Sequence, residues 1–192
     1  MEKIISKIIH MCNPLGENEE IVRYGIEIAI MRLIFVVTVL LAGILMKSLL
    51  ESIIFTISFS LLRQYCGGYH AYKRVNCLIS STATLIAALI IIKIAYVHNQ
   101  IILPIIIIAG IAVIYIFISA PIDTASKRLD NDECREYGKR AKILAVLLIM
   151  LSVMLYIFNI SNIACTVAIG IILEGLLMIC GYVQNIRNGE TL

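Results

Sequence analysis

The feature that most constrains the fold of this chain is its series of long apolar runs. A helix needs roughly 20 apolar residues to cross about 30 Å of hydrocarbon, and several runs approach that length. The sequence is 60% hydrophobic and 15% charged, whereas a soluble domain is about 45–50% apolar and about 25% charged. Because the runs are too numerous for a single anchor, we predict an all-α polytopic integral membrane protein.

We predict about six transmembrane helices within a single membrane-embedded domain, residues 1–192. The predicted spans are Ile28–Met46, Leu49–Leu62, Leu78–Val97, Gln100–Ala120, Ile143–Phe158 and Ile163–Tyr182. The second span is short and carries Glu51 near its start, which predicts a tilted helix, one extended to residue 65, or a partly re-entrant segment. No run alternates in polarity as the strands of a membrane barrel would.

Residues 1–27 form a predicted cytoplasmic N-terminal segment. Isoleucines within its first nine positions are interleaved with Lys3 and Lys7, so the apolar residues do not form the continuous block of a signal peptide. This pattern favours an amphipathic helix on the membrane surface. A solvated cap on the fold is the alternative.

The distribution of Lys and Arg between the connections predicts the orientation of the chain. The segment 63–77 contributes three basic residues and the segment 121–142 contributes six, while the other connections carry almost none. With six spans, both basic segments and both termini lie in the cytoplasm of a multi-pass cell-membrane protein. The predicted active site, within 63–77, faces the same side.

Two ionisable residues lie well within the predicted spans, Lys93 and Glu174. Such residues are candidates for function because hydrocarbon solvates charge poorly. Lys93 is close enough to a span end for its ammonium group to reach the interface. Glu174 is deeper, and we expect it to pair with a basic group or to bind a polar element of a substrate.

The segment "RQYCGGYHAYKRVNC", Arg63 to Cys77, concentrates polar chemistry within the apolar chain. His70 and Cys77 are its only candidate base and nucleophile. On one straight helix, residues seven apart are separated by about 10.5 Å, which is beyond hydrogen-bond reach. Gly67 and Gly68, however, are expected to break the preceding helix and let the chain fold back.

The next span is predicted to begin at Cys77 or Leu78, with Asn76 as its N-cap. Cys77 would then lie in the first turn, where the helix N-terminus favours a thiolate. A metal site formed by Cys66, His70 and Cys77 is an alternative, although this spacing matches no common zinc pattern.

These residues resemble the signature of the accessory gene regulator B (AgrB) family. The matching positions are Arg63, Gly67, Gly68, His70, Ala71 and Cys77. A second segment, "APIDTASKRLD", is similar to the family's Ala-Pro turn followed by basic residues. Its matching positions are Ala120, Pro121, Lys127 and Arg128, and it departs from the family at Leu129 and Asp130, where members often have Pro.

The resemblance implies a membrane-embedded cysteine endopeptidase that processes a small AgrD-like precursor of a quorum-sensing signal. His70 would act as general base and Cys77 as nucleophile. Cleavage releases the precursor's C-terminal tail and leaves an acyl-enzyme thioester. A Cys or Ser of the precursor then captures the acyl group, which gives a thiolactone or lactone autoinducing peptide.

Other polar residues are predicted to support catalysis, and each has an alternative role. Arg63 would orient the segment, bind a substrate carboxylate or anchor the interface. Gly67 and Gly68 permit close backbone approach or supply amide donors to an oxyanion. Lys127 and Arg128 would attract an acidic precursor tail or only set the topology. The candidates for a third catalytic member are Gln64, Asn76 and Ser80.

Two other classes compete with a peptidase. One is a peptide exporter or channel without covalent catalysis, which should show internal symmetry that this sequence lacks. The other is an enzyme of lipid or isoprenoid phosphates, which needs clustered acids for Mg²⁺. The six cysteines show no CxxC spacing, so we expect free thiols. We predict no cofactor, no metal and no nucleic-acid partner, with the lipid bilayer and the precursor as partners and a homodimer as a plausible assembly.

Overall fold

The computed structural model describes residues 19–69, 74–122 and 130–187, and these fold into six long helices. The helices are α1 (Glu19–Leu45), α2 (Leu49–Cys66), α3 (Arg74–Val97), α4 (Ile102–Ser119), α5 (Asn131–Ile157) and α6 (Ser161–Arg187). A 3-10 turn, Asn99–Ile101, precedes α4. The described residues contain no strand, only one isolated bridge between Gly67 and Ile122. The prediction of an all-α membrane fold is confirmed.

Five of these helices, all except α2, are long and apolar enough to cross a membrane. The second predicted span does form a helix, and it extends to Cys66 rather than ending at Leu62. Its buried face includes Ser52 and Ser58, whose hydroxyls donate to carbonyl oxygens within the same helix. These serines lower the hydropathy of α2, and they allow it to pack closely on its neighbours.

Helix α6 is the centre of the bundle. Its residues from Ala164 to Ile171 are all buried, as are Glu174, Gly175, Met178 and Gly181 further along. At Gly170 a Cβ atom would lie 3.0 Å from the Ser58 hydroxyl of α2. The small residues of α6 therefore let other helices approach its backbone.

The contacts between α2 and α6 show that the two helices run in the same direction. Ser58 lies opposite Gly170, and Arg63 lies beside Glu174. The chain therefore alternates between two ends of the bundle. We call the end that holds residues 66–69 and 120–122 the site end, and the end that holds the connections 46–48 and 158–160 the turn end.

The two basic segments meet at the site end. Residue Gly67 from the first segment bridges Ile122 from the second. A Cβ atom on Gly138 would lie 3.2 Å from the ring of Pro121, so the start of α5 also packs here. The peptide bond between Ala120 and Pro121 is cis.

Several predicted boundaries are corrected by the structure. The connection predicted over 121–142 is helical from Asn131, and an ion pair between Glu136 and Arg140 links successive turns of that extension. Asn76 is not an N-cap, because Arg74 is already helical. Within the predicted N-terminal segment, residues 19–27 continue directly into the first span, and residues 1–18 lie outside the described residues.

Candidate active site at the end of the bundle

The candidate site begins where α2 ends, at two consecutive glycines. Gly67 has φ of 74° and Gly68 has φ of 111°. Side chains other than glycine rarely adopt these angles. The predicted break in the helix is therefore present at the predicted residues, and the chain turns sharply after Cys66.

Backbone contacts from two distant parts of the chain hold this turn. The amide of Ile122 donates to the carbonyl of Cys66 at 2.9 Å, and the amide of Tyr69 donates to the carbonyl of Leu177 on α6 at 3.1 Å. A Cβ atom on Gly181 would lie 2.6 Å from the carbonyl carbon of Gly68. The backbone of residues 66–69 is therefore fixed by contacts distant in sequence.

Arg63 ties the same turn to a buried carboxylate. Its Nη1 donates to the carbonyl of Gly67 at 2.8 Å, and its Nη2 donates to the carbonyl of Tyr69. Nη1 also lies 3.7 Å from Oε1 of Glu174, whose side chain is fully buried. The expectation that Glu174 pairs with a basic group is confirmed, and its partner is Arg63.

Cys77 lies on α3, three residues after Arg74, and its side chain is half-buried. It lines an open groove of about 260 Å³ between α1 and α3. The α1 wall is formed by Ile28, Met31, Arg32 and Phe35, and the α3 wall by Cys77, Leu78 and Ser81. The groove is mainly apolar, and Cys77 is part of its wall.

The other described cysteines differ from Cys77 in their surroundings. Cys66 and Cys165 are buried in the core, Cys134 is half-buried on α5, and Cys180 is exposed on α6. All are free thiols, as predicted. Among the described cysteines, only Cys77 lines this groove.

Arg32 is a residue of the groove that sequence reasoning missed. It is exposed, and within the described ranges it forms no hydrogen bond or ion pair. It lies inside the predicted span Ile28–Met46, and an ionisable residue within a span is itself a signal of function. The structure adds that Arg32 and Cys77 line the same groove.

The basic residues of α5 belong to the site end but are well solvated. Arg135, Lys139 and Arg140 are exposed. Arg140 pairs with Glu136 and stands 5.9 Å above the ring of Tyr65. This stacking connects the start of α5 to the last turn of α2.

Some predicted site residues are not brought together by the described part of the chain. His70, Lys127 and Arg128 lie outside it. Of the candidates for a third catalytic member, Gln64 and Asn76 are exposed, and the Ser80 hydroxyl donates to the carbonyl of Cys77 at 2.9 Å. No group of three His, Cys, Asp or Glu side chains suited to a metal occurs among the described residues.

Comparisons with known proteins agree with this architecture. A family model for accessory gene regulator B matches residues 1–179. An AgrB-like protein of Clostridium perfringens SM101 is 30% identical over 166 residues, which cover 81% of this chain and 77% of the relative. One from Listeria monocytogenes CLIP80459 is 28% identical over 128 residues, which cover 67% of this chain and 61% of the relative. No solved structure gave a significant match.

The fold is that of a polytopic helical membrane protein with a fixed glycine turn and a thiol-lined groove at one end of its bundle. The chain belongs to the accessory gene regulator B family. Membership of this family associates it with the processing of agr quorum-sensing peptides.

Proposed function

We propose that this protein is a membrane-embedded cysteine endopeptidase that removes the C-terminal tail of a small precursor peptide and promotes cyclisation of the remainder. The observation that carries the proposal is the position of Cys77 in an apolar groove at the site end. Two other described thiols, Cys66 and Cys165, are buried. Family membership supports the same activity.

The proposed first step is attack by the Cys77 thiolate on a carbonyl carbon of the precursor. His70 accepts the thiol proton, and its imidazolium then donates that proton to the nitrogen of the leaving tail. The carbon–nitrogen bond breaks and a carbon–sulfur bond forms. The products are a free tail with a new amino terminus and a thioester on Cys77.

In the proposed second step, a thiol or hydroxyl of the bound precursor attacks the thioester. The attacking group loses its proton to His70, a ring closes as a thiolactone or lactone, and the Cys77 thiolate is regenerated. A groove with largely apolar walls favours this step over hydrolysis, because it limits water and holds the acceptor close to the acyl group. The proposed occupant is therefore an apolar stretch of the precursor.

Lys127 and Arg128 are proposed to attract an acidic tail of the precursor. Charge reversal of both residues to Glu is then expected to weaken cleavage of an acidic-tailed precursor and to affect a neutral-tailed precursor less. Equal rates for both tails in the reversed variant would remove these residues from recognition.

We place the site end in the cytoplasm, because both basic segments lie there and positive loops are retained on that side. Impermeant maleimide labelling of intact cells tests this orientation. Cys134, at the site end, is expected to label only after permeabilisation, whereas a cysteine introduced at His98, in the connection between α3 and α4, is expected to label in intact cells. The reverse pattern would invert the topology.

The activity itself is tested by co-expression with the precursor, followed by mass spectrometry of the peptide products. Cys77→Ala and His70→Ala are expected to abolish release of the tail. Cys180→Ala is the matched control, since it removes an exposed thiol on α6 and should leave cleavage intact. Cleavage that persists without Cys77 would contradict the mechanism and favour a peptide exporter.

A further inference from the structure

We propose that Glu174 is a positioning residue of the peptidase site, which acts through Arg63 to hold the backbone that leads into His70. The inference rests on the proposed function, because it gives a carboxylate on α6 a role in holding the turn that precedes the proposed base. Among the described residues, Glu174 is not part of the groove that Cys77 lines. The described contacts link it to the site through Arg63 and the turn that follows α2.

The first argument is the set of groups that Arg63 holds. Its guanidinium donates to the carbonyls of Gly67 and Tyr69 and lies beside the Glu174 carboxylate. A guanidinium presents its donors in a rigid plane, so several acceptors around it are fixed relative to one another. Since Tyr69 immediately precedes His70, this arrangement fixes the backbone up to the residue before the proposed base.

The second argument is the burial of Glu174. Its side chain is fully buried, and neither carboxylate oxygen accepts a hydrogen bond within the described residues. A buried ion pair often stabilises a fold no more than apolar residues of the same volume would, so fold stability alone does not explain a carboxylate at this position. The one cation placed beside it in the described chain is Arg63, at 3.7 Å.

The third argument is that one face of α6 makes successive contacts with the turn. Glu174 contacts Arg63, the carbonyl of Leu177 accepts from Tyr69, and Gly181 packs directly on Gly68. These residues recur at intervals of three and four, so they share a helix face. Helix α6 thus acts as a rigid support for the turn, and Glu174 is its charged contact.

These contacts also choose between the predicted roles of Arg63. A guanidinium that already holds two carbonyls and lies beside a carboxylate has few donors left for a substrate carboxylate. The geometry therefore favours orientation of the segment over substrate binding. A change at Glu174 should therefore lower the rate of the chemical step and leave the affinity for the precursor unchanged.

The test compares full-length wild-type protein with Glu174→Gln, which keeps the shape of the side chain and removes its charge. The expected result is a fall in kcat of about 10–100-fold with KM unchanged, the size expected when a catalytic group is displaced by about 1 Å. Ser152→Ala is the control for loss of a buried polar contact. The Ser152 hydroxyl donates to the carbonyl of Ala164 at 2.8 Å, outside the site, and its loss should not change kcat.

A second readout separates positioning from a general structural role. The rate of iodoacetamide alkylation at the Cys77 peptide, followed by mass spectrometry, reports the activation of the thiol. Glu174→Gln and His70→Ala are each expected to slow this rate, and the double variant should be no slower than His70→Ala alone. The inference would be overturned if the double variant were alkylated more slowly than His70→Ala alone. An unchanged kcat in Glu174→Gln would also overturn it.

If Glu174→Gln does not accumulate in the membrane, Arg63→Lys provides the same test, since lysine keeps the charge but lacks the planar fork. The same loss of kcat and the same non-additivity with His70→Ala are expected. Failure of the proposed function would look different, because Cys77→Ala and His70→Ala would then leave cleavage intact. Loss of cleavage in those two variants with wild-type kcat in Glu174→Gln would refute the positioning role alone.

Discussion

The two ends of the helical bundle turn the chain in different ways. At the turn end, the connections after α1 and α5 close with local hydrogen bonds. The amide of Ser48 donates to the carbonyl of Gly43, and the amide of Ile160 donates to the carbonyl of Leu155. Lys47 and Asn159 supply the left-handed residue of each cap, with φ of 51° and 60°. These are Schellman motifs, in which backbone amides just after a helix donate to the carbonyls of its last turn.

At the site end, the turn after α2 depends on residues far away in sequence. Ile122 and Leu177 bond to its backbone, and Glu174 lies beside the arginine that spans it. The caps at the turn end involve only residues close in sequence, whereas this turn requires α6 and the residues directly after α4 to be in place. The comparison shows that the turn end is closed by local sequence, whereas the geometry of the site end is set by tertiary contacts.

The largest effect expected from this difference is at Gly67. A Cβ atom there would overlap the carbonyl oxygen of Ile122, and the φ of 74° is unfavourable for alanine. Gly67→Ala should lower stability by about 2–5 kcal/mol, through strain and overlap together, and abolish cleavage. Thermal unfolding in detergent and tail release measure the two effects.

Gly110→Ala is the matched control for this prediction. Gly110 lies within α4, and a Cβ atom there would meet no atom within 4 Å. Alanine is favoured over glycine in a helix, so stability should rise slightly and cleavage should not change. Equal losses of stability and cleavage in the two variants would mean that the bundle tolerates no added methyl group at either glycine. That result would contradict the contrast between the two ends.

An intermediate effect is expected at Arg32 in the groove. If its guanidinium binds a carboxylate of the precursor, Arg32→Gln should raise KM about tenfold, because a charged hydrogen bond is worth about 1.5 kcal/mol. Arg23→Gln is the control, since Arg23 is exposed on the same helix and pairs with Glu27 outside the groove.

The source of the anion that Arg32 binds can be distinguished with the precursor itself. Replacing its acidic residues one at a time by amides should, at one position, remove the difference between Arg32→Gln and wild type. A difference that survives every replacement would assign Arg32 to lipid phosphate at the interface, where long basic side chains commonly reach.

The smallest effect is expected at the turn end. Lys47→Gly should stabilise the protein by about 0.5 kcal/mol, because glycine adopts the left-handed conformation without the cost that lysine incurs. The rate of tail release should remain at the wild-type value. A loss of cleavage here would show that the turn end communicates with the site.

The local features of this chain were predictable from its sequence, because they depend on residues that are close together. Apolar runs indicated the helices, and the glycine pair indicated the break after Cys66. The Asn76 cap was predicted wrongly, since α3 already includes Arg74 and the polar residues at its start do not mark its boundary.

The long-range features were only partly predictable. The burial of Glu174 in a span indicated that it would need a basic partner, but tertiary packing chose Arg63, and nothing local identifies it. Arg32 carried a signal of its own as a charge within a span, and its proximity to Cys77 followed only from the packing of α1 on α3. The sequence alone does not show that Ser52 and Ser58 of α2 face the core, because that follows from how the helices pack.

The central claim is a covalent intermediate on Cys77, and it is tested most directly by detecting that intermediate. A precursor whose ring-forming Cys or Ser is replaced by Ala cannot complete the second step, so the acyl-enzyme should accumulate. Mass spectrometry of the Cys77 peptide should then show the precursor without its tail, attached through a bond that hydroxylamine cleaves. Release of the tail with no adduct on Cys77, or with the adduct on another residue, would contradict the account.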